Sequence, residues 1–124
     1  MMTIKALNHV ALHVAHVEIS VQFYHNVLRL TLLPRPAFDF PGAWFRLGGN
    51  QELHLLGNRK ETVFSDSRGT HFALEVTNLD EWATHLATIK AEYRPPKARP
   101  DGARQIFVID PDGHWIELVE FGKV

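Results

Sequence analysis

The chain has 124 residues, no cysteine, eight histidines and a formal net charge of −1 with histidine neutral. This is one domain's worth of polypeptide; it excludes disulfides, thiolate metal sites and a cysteine nucleophile, and it offers no global basic field for nucleic acid. Its 45% hydrophobic content is ordinary for a globular protein, no apolar run could span a bilayer, and the N-terminus lacks a signal-peptide pattern, so a cytoplasmic protein with no nucleic-acid or membrane partner is expected.

Leu7 to Val14 alternates as a strand does, with Leu7, His9, Ala11 and His13 on one face and Asn8, Val10, Leu12 and Val14 on the other. Val17 to Leu28 reads as a helix, with Ile19, Phe23, Tyr24, Val27 and Leu28 at helical spacing. Pro34 and Pro36 end it, and the aromatic loop Phe38-Asp39-Phe40-Pro41-Gly42 follows. Trp44 to Leu47 and Glu52 to Leu56 read as strands joined by Gly48-Gly49-Asn50, a hairpin signal. The polar stretch Arg59 to Arg68 is the connection between two halves, module one covering about residues 1–60 and module two about 68–124 of a single domain over 1–124.

The second half repeats the plan. Thr70 to Val76 is a strand; Asn78 and Glu81 have capping-box spacing; Leu79, Trp82, Leu86 and Ile89 form one apolar helical stripe. A proline-rich irregular segment, Tyr93 to Gly102, precedes two strands, Arg104 to Ile109 and His114 to Phe121, joined by the turn Asp110-Pro111-Asp112-Gly113. The order is β-α-β-β twice, with room for one more short strand per half. An α+β layer arrangement follows, with helices on the outer face of each sheet and a concave inner face.

The duplication is visible in the residues. His9 to Val14 and His71 to Val76 both read H-x-A-L-x-V and lie 62 residues apart. Each half also ends in a strand with one polar residue between apolar neighbours, Leu53-His54-Leu55 and Ile116-Glu117-Leu118. Strand parity sets His9, His54, His71 and Glu117 opposite the apolar faces, so all four point to the inner side. Three imidazoles and a carboxylate there suit a divalent metal such as Zn, Fe, Mn, Co or Ni. His9, His71 and Glu117 alone would make a two-histidine, one-carboxylate set with open positions. A lone histidine in a strand is more often a hydrogen-bonded structural residue than a ligand; four at matched repeat positions weigh more. His16, His25, His85 and His114 sit in or near helices and turns and read as surface. His13 shares the His9 face and reads as a supporting or solvated residue.

The chain resembles the vicinal oxygen chelate superfamily, also called the glyoxalase/bleomycin resistance/dioxygenase superfamily. The resemblance rests on Leu7 to Leu12, Phe23-Tyr24, Gly69 to Leu74 and, most specifically, Asp110 to Leu118. It implies two βαβββ modules with a cup-shaped mixed sheet and a divalent metal inside it. Its ligand positions fall on His9, His54, His71 and Glu117. It also implies a homodimer with sites shared between subunits, and a small-molecule substrate.

Three features depart from the family's subgroups. Glyoxalase I-like members usually have glutamate where His54 stands, so Glu117 is left as the candidate catalytic base. Extradiol dioxygenases use the equivalents of His9, His71 and Glu117 but are about twice this length. Arg29 stands where glycine usually closes the first helix. Among the remaining residues, Arg94, Lys97, Arg99 and Arg104 cluster beside Tyr93; this reads first as a solvated basic loop, with anion binding as the alternative. Phe38, Phe40 and Trp44 suit a pocket wall, the core or a dimer contact, and Trp115 shares parity with Glu117 and suits a pocket wall. The expectation is a metal-dependent enzyme acting on a small oxygen-chelating substrate, of lyase/isomerase or oxygenase type. A non-catalytic binding or resistance protein of the same fold is the alternative.

Overall fold

Alternation from Leu7 to Val14 becomes strand β1, His9–His13, in a computed structural model that describes residues 1–122. The chain divides into two units, Met1–Glu61 and Thr62–Val124. In the first, β1 is followed by α1 (Val17–Gln22), a π-helical turn (Phe23–Val27), and strands β2 (Thr31–Leu33), β3 (Gly42–Arg46) and β4 (Glu52–Leu56). The sheet order is β1-β4-β3-β2, with β1 parallel to β4 and the other pairs antiparallel. In the second, β5 (Phe72–Glu75) and α2 (Leu79–Thr88) precede β6 (Lys97–Ala98), β7 (Arg104–Ile109) and β8 (Trp115–Glu120). Their order, β5-β8-β7-β6, repeats the first pattern, again with one parallel pair. The architecture is α+β, built from βαβββ twice. The further strand of each half is β2 or β6, three and two residues long, too short to carry a periodic signal.

Burial follows parity within each unit. Leu12, Val14, Phe45, Leu53 and Leu55 are buried on one face of the first sheet, where Tyr24 from the π-helical turn packs against Phe45 at 6.1 Å. Ile106, Val108, Ile116 and Leu118 form the matching core of the second, with Leu79 and Leu86 of α2 also buried. The buried stripe of the first helix keeps Tyr24 and Leu28 of the expected set but has Ser20 in place of Ile19. Ser20, Tyr24 and Leu28 are inside, and Ile19 is 54% exposed.

Both helices end on a residue in the left-handed region. Arg29 has φ 59° and Lys90 φ 57°. After α2 the Ala91 N–H donates to the Leu86 carbonyl and the Lys90 N–H to that of Ala87, which is the Schellman pattern. After the first helix the Leu30 N–H reaches back to Tyr24, one residue farther. The π-helical turn, in which the Leu28 N–H bonds the Phe23 carbonyl, supplies that extra residue.

The start of α2 corrects the capping-box expectation. Asn78 has φ 56° and its side chain makes no capping bond. The Glu120 carboxylate of β8 accepts from the N–H groups of Asn78 at 2.8 Å and Leu79 at 3.4 Å. A negative group at a helix N-terminus is favourable, and here it comes from the neighbouring sheet.

Candidate metal centre

In the second unit Ala73 on β5 is the register partner of Glu117 on β8. His71 stands just before β5 on the same face, diagonal to Glu117. Its Nε2 lies 3.2 Å from Glu117 Oε1, and Glu117 is only 6% exposed. The His71 Nδ1 is 3.1 Å from the Gly69 carbonyl. A carbonyl can only accept, so Nδ1 carries the proton of the neutral ring and Nε2 keeps its lone pair. Two lone-pair donors therefore face each other at contact distance. One positive charge must lie between them, a proton or a metal ion. Ligands about 2.1 Å from a common ion stand about 3.0 Å apart in an octahedron and about 3.4 Å apart in a tetrahedron. The observed separation falls between these values, so this pair fits a divalent ion.

His9 heads the first unit in a similar state. Its Nδ1 is 2.8 Å from the Asn8 side-chain oxygen, an orienting bond of the kind that accompanies metal-bound histidines. His54 is placed differently. Its ring is stacked between His9, centroids 4.2 Å apart at 17°, and Trp44, 4.1 Å apart at 5°. A ligating lone pair lies in the ring plane, so near-parallel rings aim past each other rather than at one point. His54 Nε2 is also bonded to Glu52 Oε1 at 2.8 Å. Among the described residues, no three His, Asp or Glu side chains gather closely enough to hold an ion. The second unit presents a converging pair, His71 and Glu117, whereas His9 and His54 of the first lie side by side without converging.

His13 is spoken for structurally: Nε2 donates to the Gly57 carbonyl at 3.0 Å and Nδ1 faces Glu61 at 3.6 Å. The aromatic loop forms a cluster in which Phe38 lies 5.3 Å from Phe40 and 6.0 Å from Trp44, with the Arg35 guanidinium 4.9 Å above both phenylalanine rings.

Sequence reasoning did not reach the partner of Glu117's second oxygen. Arg99 Nη1 donates to Oε2 at 3.1 Å, while the same guanidinium is clamped by Asp101. This bond to Arg99, ahead of the Ala103 N–H, holds the Asp101 carboxyl below its ordinary value. Arg99 also lines a cavity of about 410 Å³ with Arg68, Arg94, Lys97, Phe107 and Trp115. Trp115 is thus a cavity wall. Arg104 is elsewhere, paired with Asp80 of α2 at 2.9 Å.

A sequence profile of the Glyoxalase/Bleomycin resistance protein/Dioxygenase superfamily matches residues 6–118. The chain belongs to that superfamily. It is 28% identical to the metallothiol transferase FosB of Lysinibacillus sphaericus, over 94% of this chain and 83% of that protein. It is also 28% identical to Glyoxylase I 4 of Arabidopsis thaliana, over 91% of this chain and 69% of the relative. Among solved structures, a glyoxalase family protein from Bacillus anthracis superposes with a TM-score of 0.82 at 28% identity, covering 98% of this chain and 99% of the other. The superfamily accounts for the doubled βαβββ plan. No helix among the described residues is long and apolar enough to cross a membrane.

Proposed function

We propose that this superfamily member is a divalent-metal-dependent enzyme whose ligands are His9, His71 and Glu117, with His54 at the fourth position. The observation that carries the reading is the 3.2 Å approach of His71 Nε2 to Glu117 Oε1, with His71 Nδ1 already tied to Gly69. Relatives named as a metallothiol transferase and a glyoxylase support an enzyme rather than a fold-only domain. A bound divalent ion would act as a Lewis acid on the oxygens of a small chelating substrate.

The chain's own residues have distinct tasks. Gly69 and Asn8 fix the rings of His71 and His9 so that Nε2 stays available. Phe107, the register partner of Glu117, and Trp115 flank it on the same face of the sheet and line the adjoining cavity. Glu117 is the candidate group to move a proton, and the bond from Arg99 to Oε2 orients its carboxylate. Proton transfer next to a polarised substrate suits lyase, isomerase or thiol-transfer chemistry. With two donors on each unit, we assign the complete site to a homodimer in which both subunits contribute ligands.

Elemental analysis of protein purified without a histidine tag tests this. One equivalent of metal per chain, lost in both His71→Ala and Glu117→Ala, is the expected result. Metal that survives both substitutions removes the proposed site. A metal-free wild type that binds a flat aromatic compound tightly would favour the non-catalytic binding protein instead.

A further inference from the structure

The cavity beside Glu117 has an unusual lining. Arg68, Arg94, Lys97 and Arg99 face it, and no aspartate or glutamate does. This does not follow from a generally basic surface: residues 62–124 hold seven Lys and Arg against ten Asp and Glu. Among the described residues Arg68, Arg94 and Lys97 have no ion pair. Bringing cations together without carboxylates costs free energy that a bound anion would offset. The walls are aromatic. The Arg94 guanidinium lies 5.1 Å over the Trp115 ring, which fixes its plane, its Nη1 makes a long 3.4 Å bond to the Tyr93 carbonyl, and Phe107 packs 5.5 Å from Trp115. A volume of about 410 Å³ suits a small molecule.

We infer that this cavity binds a small organic acid, its oxyanion held by Arg94 and Lys97 and its flat apolar body against Trp115 and Phe107, and that Arg99 couples its occupancy to metal binding at Glu117. The coupling rests on the metal reading above; the anion site does not. Arg99 holds Glu117 Oε2 while forming part of the cavity wall. A divalent ion on Glu117 repels that guanidinium, and an anion in the cavity receives it. Each ligand therefore tightens the other by the same factor.

Titration of phenylphosphonate into metal-free full-length protein by calorimetry tests the anion site. Saturable binding is expected, at least about tenfold weaker in the Arg94→Ala/Lys97→Ala double variant. Both residues are exposed, so the variant keeps its fold, which circular dichroism verifies. No saturable binding, or equal binding by the variant, overturns the site. Inorganic phosphate binding as tightly as phenylphosphonate overturns the assignment of an organic body to the aromatic wall. Titration of Mn²⁺ with and without saturating phenylphosphonate then tests the coupling. The metal should bind several-fold more tightly with the anion present, and Arg99→Met should abolish that gain. A gain that persists in Arg99→Met arises from phosphonate on the metal itself and overturns the coupling. Failure of the wild type to take up metal under either condition sinks the metal reading and the coupling together, while the first titration still decides the anion site.

Discussion

Glu117 is buried beside a histidine on one oxygen and an arginine on the other, and each neighbour has a second anchor that sets its position. Gly69 fixes His71, and Asp101 fixes Arg99. The Asp101 anchor has a measurable signature. Its carboxyl is held below the ordinary carboxylate value chiefly by the bond to Arg99, and next by the Ala103 N–H. A group depressed in the folded state contributes its full stabilisation above the unfolded value and loses it as pH falls through the folded one. For Asp101 that loss begins below the ordinary value of 3.8. Carboxyl NMR titration of the wild type should therefore show an Asp101 midpoint under 3.8. In Arg99→Met the midpoint should move up, while Ala103 keeps part of the depression. An unmoved midpoint would mean that the Arg99–Asp101 contact is not maintained in solution, and Arg99 would then lack the anchor that presents it to Glu117.

At the scale of elements, the helix ends depend on tertiary partners. Glu120 accepts from the N–H groups of Asn78, just ahead of α2, and of Leu79, its first residue, so Glu120→Ala should destabilise the protein by about 1–2 kcal/mol in urea unfolding, as loss of a charged cap does. Asn78→Gly tests the same junction from the other side. With no side-chain bond to lose and a left-handed backbone to relieve, it should be neutral or stabilising. Marked destabilisation would instead restore the capping box. Arg29 and Lys90 carry similar strain, and Arg29→Gly and Lys90→Gly should each raise stability by about 0.5–1 kcal/mol. Thermal or chemical unfolding reads this directly, and a loss of stability would mean that the side chains contribute more than the backbone costs. These junctions also mark where the sequence stops being legible. Strand parity is a local property, so the placement of His9, His54, His71 and Glu117 opposite the buried apolar faces could be read from single residues and their neighbours. Glu120 lies 41 residues from Leu79, the first residue of the helix it caps. Arg99 is 18 residues from Glu117, and the two-residue strand that precedes it has no periodicity to detect. Such pairings exist only once the sheet has formed. The same applies to Ser65. In the sequence it is a polar linker residue, yet its Oγ accepts from the Trp115 N–H at 2.9 Å and donates to the Thr70 carbonyl at 2.7 Å.

For the whole molecule, the duplication distributes the proposed ligands two and two, and this makes their assembly testable without a substrate. Let one variant carry His9→Ala and His54→Ala, and another His71→Ala and Glu117→Ala. Neither should retain metal alone. In a homodimer whose sites pair the first unit of one subunit with the second unit of the other, a mixed dimer has one site with all four positions lost and one with all four intact. Random reassortment makes about half of all dimers mixed, so unfolding and refolding the two variants together should recover about one quarter of the wild-type metal content. Sites built within single subunits recover none, since every chain then lacks half of its own donors. A chain that stays monomeric across the concentrations used also recovers none, and sedimentation of the wild type separates that outcome from a dimer with internal sites. Recovery near one quarter would identify the repeat as the means by which two identical chains each complete the other's metal site.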